Sequence, residues 1–127
     1  MLYKEYGKTG KAVSIIGFGG MRFAEPKNIE ESAGTVLHAF SKGVNYFDTA
    51  PGYTKDKSET IMGEAVKEMW KSGTPFYLSS KSAKSSGKEL RTELEKSLRR
   101  LNTDRSDFYH CWCVMTLDDW EGRKKGG

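Results

Sequence analysis

Four side chains with useful chemistry fall at the ends of apolar runs. Asp48 follows Val44-Asn45-Tyr46-Phe47, and Tyr53 lies in the loop beyond it. Lys81 follows Phe76-Tyr77-Leu78-Ser79-Ser80, and His110 lies in the run 107–114, with Trp112 just after it. A carboxylate, a phenol, an ammonium and an imidazole are groups that hold charge or move protons. Each also has a plainer use. Asp48 could cap a turn, Tyr53 could be a loop aromatic, Lys81 could be solvated, and His110 could be a hydrogen-bonded core histidine. If the runs are parallel strands, however, their C-terminal ends share one rim, which is where α/β active sites sit. On one rim and in chain order, the four are hard to read as accidents.

The elements between these residues fit that arrangement. Residues 3–6 and 12–14 flank Gly7-Lys8-Thr9-Gly10, a pattern that predicts a β-hairpin. Residues 15–20 read as a short buried strand ending in a glycine loop. Asn28 and Glu31 have the spacing of a capping box. Ile29, Ala33, Val36, Leu37 and Phe40 then recur at helical spacing, with Gly43 as the stop. A second helix is expected over 58–71, broken by Gly73-Thr74-Pro75. Ser86 and Glu89 repeat the capping spacing ahead of Leu90, Leu94, Leu98 and Leu101. A fourth strand over 107–114 and a short polar helix over 117–124 complete the chain. The order is a hairpin, then β-α-β-α-β-α-β. Such alternation predicts a parallel sheet with right-handed crossovers. The length suits one domain over residues 1–127.

Composition narrows the function classes. Leu, Ile, Val and Phe together make only about 18% of the chain. The net charge is just +4 and aromatics, Phe included, make up 12%, so the chain reads as globular with a thin apolar supply. Basic residues are interleaved with acids. Arg99-Arg100 and Arg123-Lys124-Lys125 read as a solvated helix end and a basic tail, and no nucleic-acid partner is expected. Cys111 and Cys113 are too close for an unstrained disulfide and two ligands short of a zinc site. They read as reduced, buried strand cysteines, and no metal is expected. No signal-peptide run and no membrane-length apolar run is present. A cytoplasmic, soluble protein with no membrane partner is the expectation.

The segment Asn45-Tyr46-Phe47-Asp48-Thr49-Ala50-Pro51-Gly52-Tyr53 resembles the signature of the aldo-keto reductases. So do Gly17-Phe18-Gly19-Gly20-Met21-Arg22, Ser58-Glu59 with Gly63, Ser80-Lys81, and Leu98-Arg99-Arg100-Leu101-Asn102-Thr103-Asp104. The resemblance covers nearly the whole chain. It implies a (β/α)8 barrel plugged at the bottom by an N-terminal hairpin, and reduction of a small-molecule aldehyde or ketone with NADPH or NADH. Tyr53 matches the family's general acid. Lys81 matches the ammonium that favours the phenolate, and Asp48 the carboxylate that holds Lys81 in place. Gly20, Met21, Arg22 and Asp48 would touch the nicotinamide end of the cofactor. Many members carry a histidine five residues after the aspartate of the fourth strand, but five residues from Asp107 is Trp112. His110, two residues earlier and on the same strand face, would substitute after a local shift, or Trp112 fills the substrate end.

A complete barrel takes about 250 residues. The expected fold class is therefore α/β, a truncated (β/α)8 (TIM) barrel in which the hairpin is followed by about four parallel βα units. An open half-barrel would expose apolar faces and strand edges, so a homo-oligomer joined through them is expected. The resemblance places most contacts to the cofactor's phosphates in the absent half, which implies weak or absent cofactor binding. The alternative function is a catalytically silent half-barrel acting as a self-associating structural or interaction module. Two cysteines do not supply the four thiolates of an iron–sulfur cluster.

Overall fold

The structure, a computed structural model, describes residues 1–126. Gly127, the last residue of the expected domain, lies outside the described residues. The N-terminus folds back on itself through a glycine turn. β1 (Tyr3–Glu5) and β2 (Ala12–Ser14) pair antiparallel, with Tyr3 opposite Ser14. Gly7 and Gly10 hold φ of +56° and +69°, a left-handed conformation that costs glycine little.

The rest of the chain alternates as the sequence predicts. β3 (Phe18–Gly19), β4 (Tyr46–Asp48), β5 (Tyr77–Ser82) and β6 (Phe108–Cys111) form one parallel sheet in chain order. α1 (Ile29–Ser41), α2 (Ser58–Lys71) and α3 (Gly87–Arg100) are the crossovers, and α4 (Leu117–Lys125) follows β6. The caps explain the helix starts. Asn28 accepts from the backbone of Glu31 at 3.1 Å and Ser86 from that of Glu89 at 3.3 Å. Thr116 and Asp119 close a reciprocal capping box on α4. Gly43 follows α1 at φ +89°.

The two faces of the sheet differ. Phe47 and Leu78 point to the helices and are 1% exposed. They join Val36, Ile61, Val66 and Met69 in the core. Burying each such side chain contributes about 1.5–3 kcal/mol. A methyl on Gly63 would come within 2.2 Å of the Arg100 carbonyl, so only glycine lets α2 cross the end of α3 this closely. The opposite face carries Tyr46, Tyr77 and Phe108. Tyr6, from the end of β1, packs on that face with its ring 4.7 Å from Phe108 and 6.0 Å from Tyr46. Asn45 ties the hairpin down: its Oδ1 accepts from the Ser14 amide at 2.7 Å. The hairpin thus covers the lower end of the sheet and leaves the C-terminal rim open.

Three expectations need correction. The segment 15–20 is not a buried strand: β3 is only Phe18–Gly19, and Ile15 and Ile16 are exposed. Ser14 Oγ donates to the Ile16 carbonyl at 2.7 Å, which bends the chain before β3. The fourth strand is shorter than 107–114 because Cys113, at φ +59°, ends the extended run. Cys111 and Cys113 are free but exposed, not buried, because the strand stops at Cys111. Among the described residues, no helix is long and apolar enough to cross a membrane.

Candidate active site

Register assembles the rim. In the parallel ladders Asp48 lies beside Ser79, and Lys81 beside His110. Side chains two residues apart share a face, so Ser79 and Lys81 both project from β5 on the side away from the helices. Lys81 Nζ sits 2.6 Å from Asp48 Oδ2 and 3.3 Å from the Tyr53 hydroxyl. It also lies 4.7 Å from the centroid of the Tyr53 ring. Lys81 is only 8% exposed, and an ammonium so buried is tolerated because a carboxylate and a phenol oxygen receive its protons. Tyr53 is set by the turn after β4: its amide donates to the Ala50 carbonyl, and its own carbonyl accepts from the Ser58 amide at the start of α2.

Ser79 extends this cluster. Its Oγ donates to Asp48 Oδ1 at 2.8 Å and lies 3.1 Å from His110 Nε2. A hydroxyl has one proton, and an ionised carboxylate can only accept. With that proton given to Asp48, the partner at Nε2 must be a donor, so His110 carries hydrogen on Nε2. Among the described residues, no hydrogen bond joins His110 to Tyr53 or Lys81. Tyr46 lies below, and burial pushes its phenol above the ordinary value of 10.0. Trp112 approaches from the end of β6 and meets the Tyr53 ring edge-on, centroids 5.8 Å apart. Its carbonyl accepts from Arg123, which also donates to the Lys84 carbonyl. Arg123 thus ties the loops after β5 and β6 together rather than trailing as a basic tail.

The glycine loop completes the rim. The Gly20 amide donates to the Asp48 carbonyl at 2.8 Å, and its carbonyl accepts from Ser58 Oγ at 2.6 Å. A Cβ there would lie 2.6 Å from Ser58 Oγ and 2.8 Å from Met62, so a larger residue would push the loop off the rim. Thr54 Oγ1 donates to the Met21 carbonyl at 3.0 Å. Met21 and Arg22 are exposed beside it. On the helix side of β5, Glu59 is buried and accepts from Ser80 Oγ and Arg100 Nε. That buried pair braces α2, β5 and α3 beneath the rim.

The geometry brings Asp48, Tyr53, Lys81 and Trp112 together, with His110 attached through Ser79. Sequence reading did not single out Ser79 or Thr54, and it placed Arg123 in a basic tail. Ser79 had a usable signal: it lies two residues before Lys81, on the same strand face. Among the described residues, no group of three or more His, Cys, Asp or Glu side chains could hold a metal ion.

The family model for the aldo/keto reductase family matches residues 15–120. L-galactose dehydrogenase from Arabidopsis thaliana is 31% identical over 114 residues, covering 83% of this chain and 36% of that protein. A thermostable aldo-keto reductase solved with the inhibitor epalrestat aligns at TM-score 0.73 and 26% identity, over 99% of this chain and 49% of that one. An aldo/keto reductase from Klebsiella pneumoniae, solved with NADP and acetate, aligns at TM-score 0.65 and 27% identity, over 79% of this chain and 35% of that one. The chain spans about a third of the length of the curated relatives it matches. The sheet and its helices therefore correspond to part of an aldo-keto reductase α/β barrel, and the chain belongs to the aldo/keto reductase family.

Proposed function

We propose that this chain carries the proton-donating half of a carbonyl reductase site, working with NADPH or NADH on a small aldehyde or ketone. The contact of Lys81 with both Asp48 and the Tyr53 hydroxyl carries the reading. Reducing a carbonyl adds a hydride at carbon and a proton at oxygen. The nicotinamide, when bound, supplies the hydride. Tyr53 gives its phenolic proton to the carbonyl oxygen and is left as a phenolate. The Lys81 ammonium lies where that negative charge develops and stabilises it. Asp48 fixes the ammonium, and Ser79 fixes Asp48.

The residues present fit one end of the cofactor. Met21 is exposed and its carbonyl accepts from Thr54, the residue after Tyr53, so the glycine loop borders the proton donor. Gly20, Met21, Arg22 and the Asp48 backbone would border the nicotinamide end. His110 serves in this reading as a positioning residue, because its Nε2 is engaged by Ser79. Trp112, against Tyr53, walls the substrate end. The test is a fluorescence titration of the whole chain with NADPH and with NADH. Saturation in the micromolar range supports the reading. No binding up to millimolar concentration leaves reductase activity only to a protein that supplies the remaining contacts.

A second reading, a self-associating module, is favoured by the sheet edges. β3 and β6 each lack a second strand partner in the described sheet. Ile15 and Ile16 beside one edge, and Val114, Met115 and Leu117 beyond the other, are exposed. Two copies joined edge to edge would close eight strands. A dimeric mass by light scattering supports this, and a monomer at high concentration overturns it.

A further inference from the structure

A second cleft adjoins the rim. It lies between the loop 21–27 and the turn 54–57, encloses about 470 Å³, and has Phe23 and Pro26 among its apolar lining. That volume suits a small ligand. Four cations line it, Arg22, Lys27, Lys55 and Lys57, and no acidic residue does. Among the described residues, none of the four makes an ion pair. Asp56, next to Lys55 and Lys57 in sequence, lines a separate cleft with Lys96 and Arg100, while Arg22 also borders a neighbouring cleft that Glu25 and Glu31 line.

The backbone supports the arrangement at a cost. Thr54, Lys55 and Asp56 hold φ of +53°, +52° and +66° in succession. Three left-handed non-glycine residues in a row are strained, and such strain collects at ligand clamps and active sites. Thr54 anchors the turn to the Gly20 and Met21 carbonyls. The turn sends Asp56 and Lys57 to different clefts although they are adjacent in the chain.

We propose that this cleft binds the anionic end of the substrate, so that the carbonyl compound carries a carboxylate or phosphate a few bonds from the carbonyl. The proposal rests on the reductase reading of the rim, because the cleft begins at the residue after Tyr53. Lys27, Lys55 and Lys57 supply point charges around the anion, and Arg22 stands at the border between this cleft and the cofactor loop. Phe23 and Pro26 shield the apolar part of the chain from water.

The test is calorimetric titration of the whole chain with succinate and with its neutral diamide. Succinate is expected to bind at least tenfold more tightly. The double variant Lys55→Gln, Lys57→Gln is expected to lose at least tenfold in succinate affinity with an unchanged melting temperature. Excess NADPH is expected to leave succinate bound. Equal binding of the two ligands overturns the proposal, as does an unaffected double variant. Displacement of succinate by NADPH also overturns it, since the cleft would then serve the cofactor's phosphates. Absence of NADPH binding, with succinate binding and its loss in the double variant intact, supports the anion cleft and leaves reduction to a protein that supplies the remaining cofactor contacts.

Discussion

Ser79 sits between Asp48 and His110, and its hydroxyl donates to Asp48 Oδ1 at 2.8 Å. The Asp48 carboxylate is therefore held at both oxygens, by Lys81 at Oδ2 and by Ser79 at Oδ1. Replacing Ser79 with Ala leaves one carboxylate oxygen without a donor and frees His110 Nε2. Such a loss costs about 1–2 kcal/mol. Ser79→Ala is expected to lower the urea midpoint accordingly and to shift the His110 side-chain resonances, while Ser79→Thr keeps both near wild type. Unmoved His110 resonances in the alanine variant would contradict the bridge.

Tyr53→Phe removes only the phenolic oxygen. The ring still meets Trp112, and Lys81 keeps Asp48. The fold is expected to survive, with an unchanged far-ultraviolet spectrum. Carbonyl turnover is expected to fall at least ~100-fold, the scale of a lost proton donor. Full activity in this variant would remove Tyr53 from the chemistry.

Two glycines make opposite predictions. At Gly63 an added methyl meets the Arg100 backbone at 2.2 Å. Gly63→Ala is expected to cost about 2–3 kcal/mol through overpacking. At Gly34, inside α1, an added methyl meets nothing within 4 Å. Gly34→Ala is expected to gain up to about 1 kcal/mol, because alanine has less backbone entropy to lose. Thermal melts of the two variants check both signs.

Alkaline pH should weaken the fold. Burial pushes the phenols of Tyr46 and Tyr109 above the ordinary value of 10.0. The native state then holds protons that the unfolded chain releases. This stability is fully present below about pH 10 and is lost as the pH rises beyond it. Among the described residues the buried Tyr109 hydroxyl has no partner at full hydrogen-bond geometry, with Ser82 and Ser97 the nearest hydroxyls that act on it. Tyr109→Phe removes both liabilities. It is expected to raise stability by about 1 kcal/mol at pH 8 and to flatten the loss between pH 9 and 11. Urea titrations at the two ends of that range are the check.

What was legible in the sequence was local. Asn28 and Ser86 announced their helices because a cap acts within one turn. Asp48, Tyr53 and Lys81 stood out because they follow apolar runs, and in a parallel sheet the ends of such runs share a rim. Contacts set by register across strands were not legible. The Ser79 hydroxyl reaches Asp48 from the neighbouring strand and His110 from the next one. No spacing along the chain records that meeting. The cysteines read as buried because their run looked like a full strand, but the strand stops at Cys111 and both side chains are exposed. The left-handed turn at 54–56 is likewise a tertiary decision. Thr54 and Lys55 do not favour that conformation, and the hydrogen bonds from Thr54 to the glycine loop help hold the turn in it. The chain's own pattern determined which elements form and which groups lie at their ends. The packing of those elements decided which groups touch, because hydrogen bonds and charge pairs depend on distances that only the folded sheet sets.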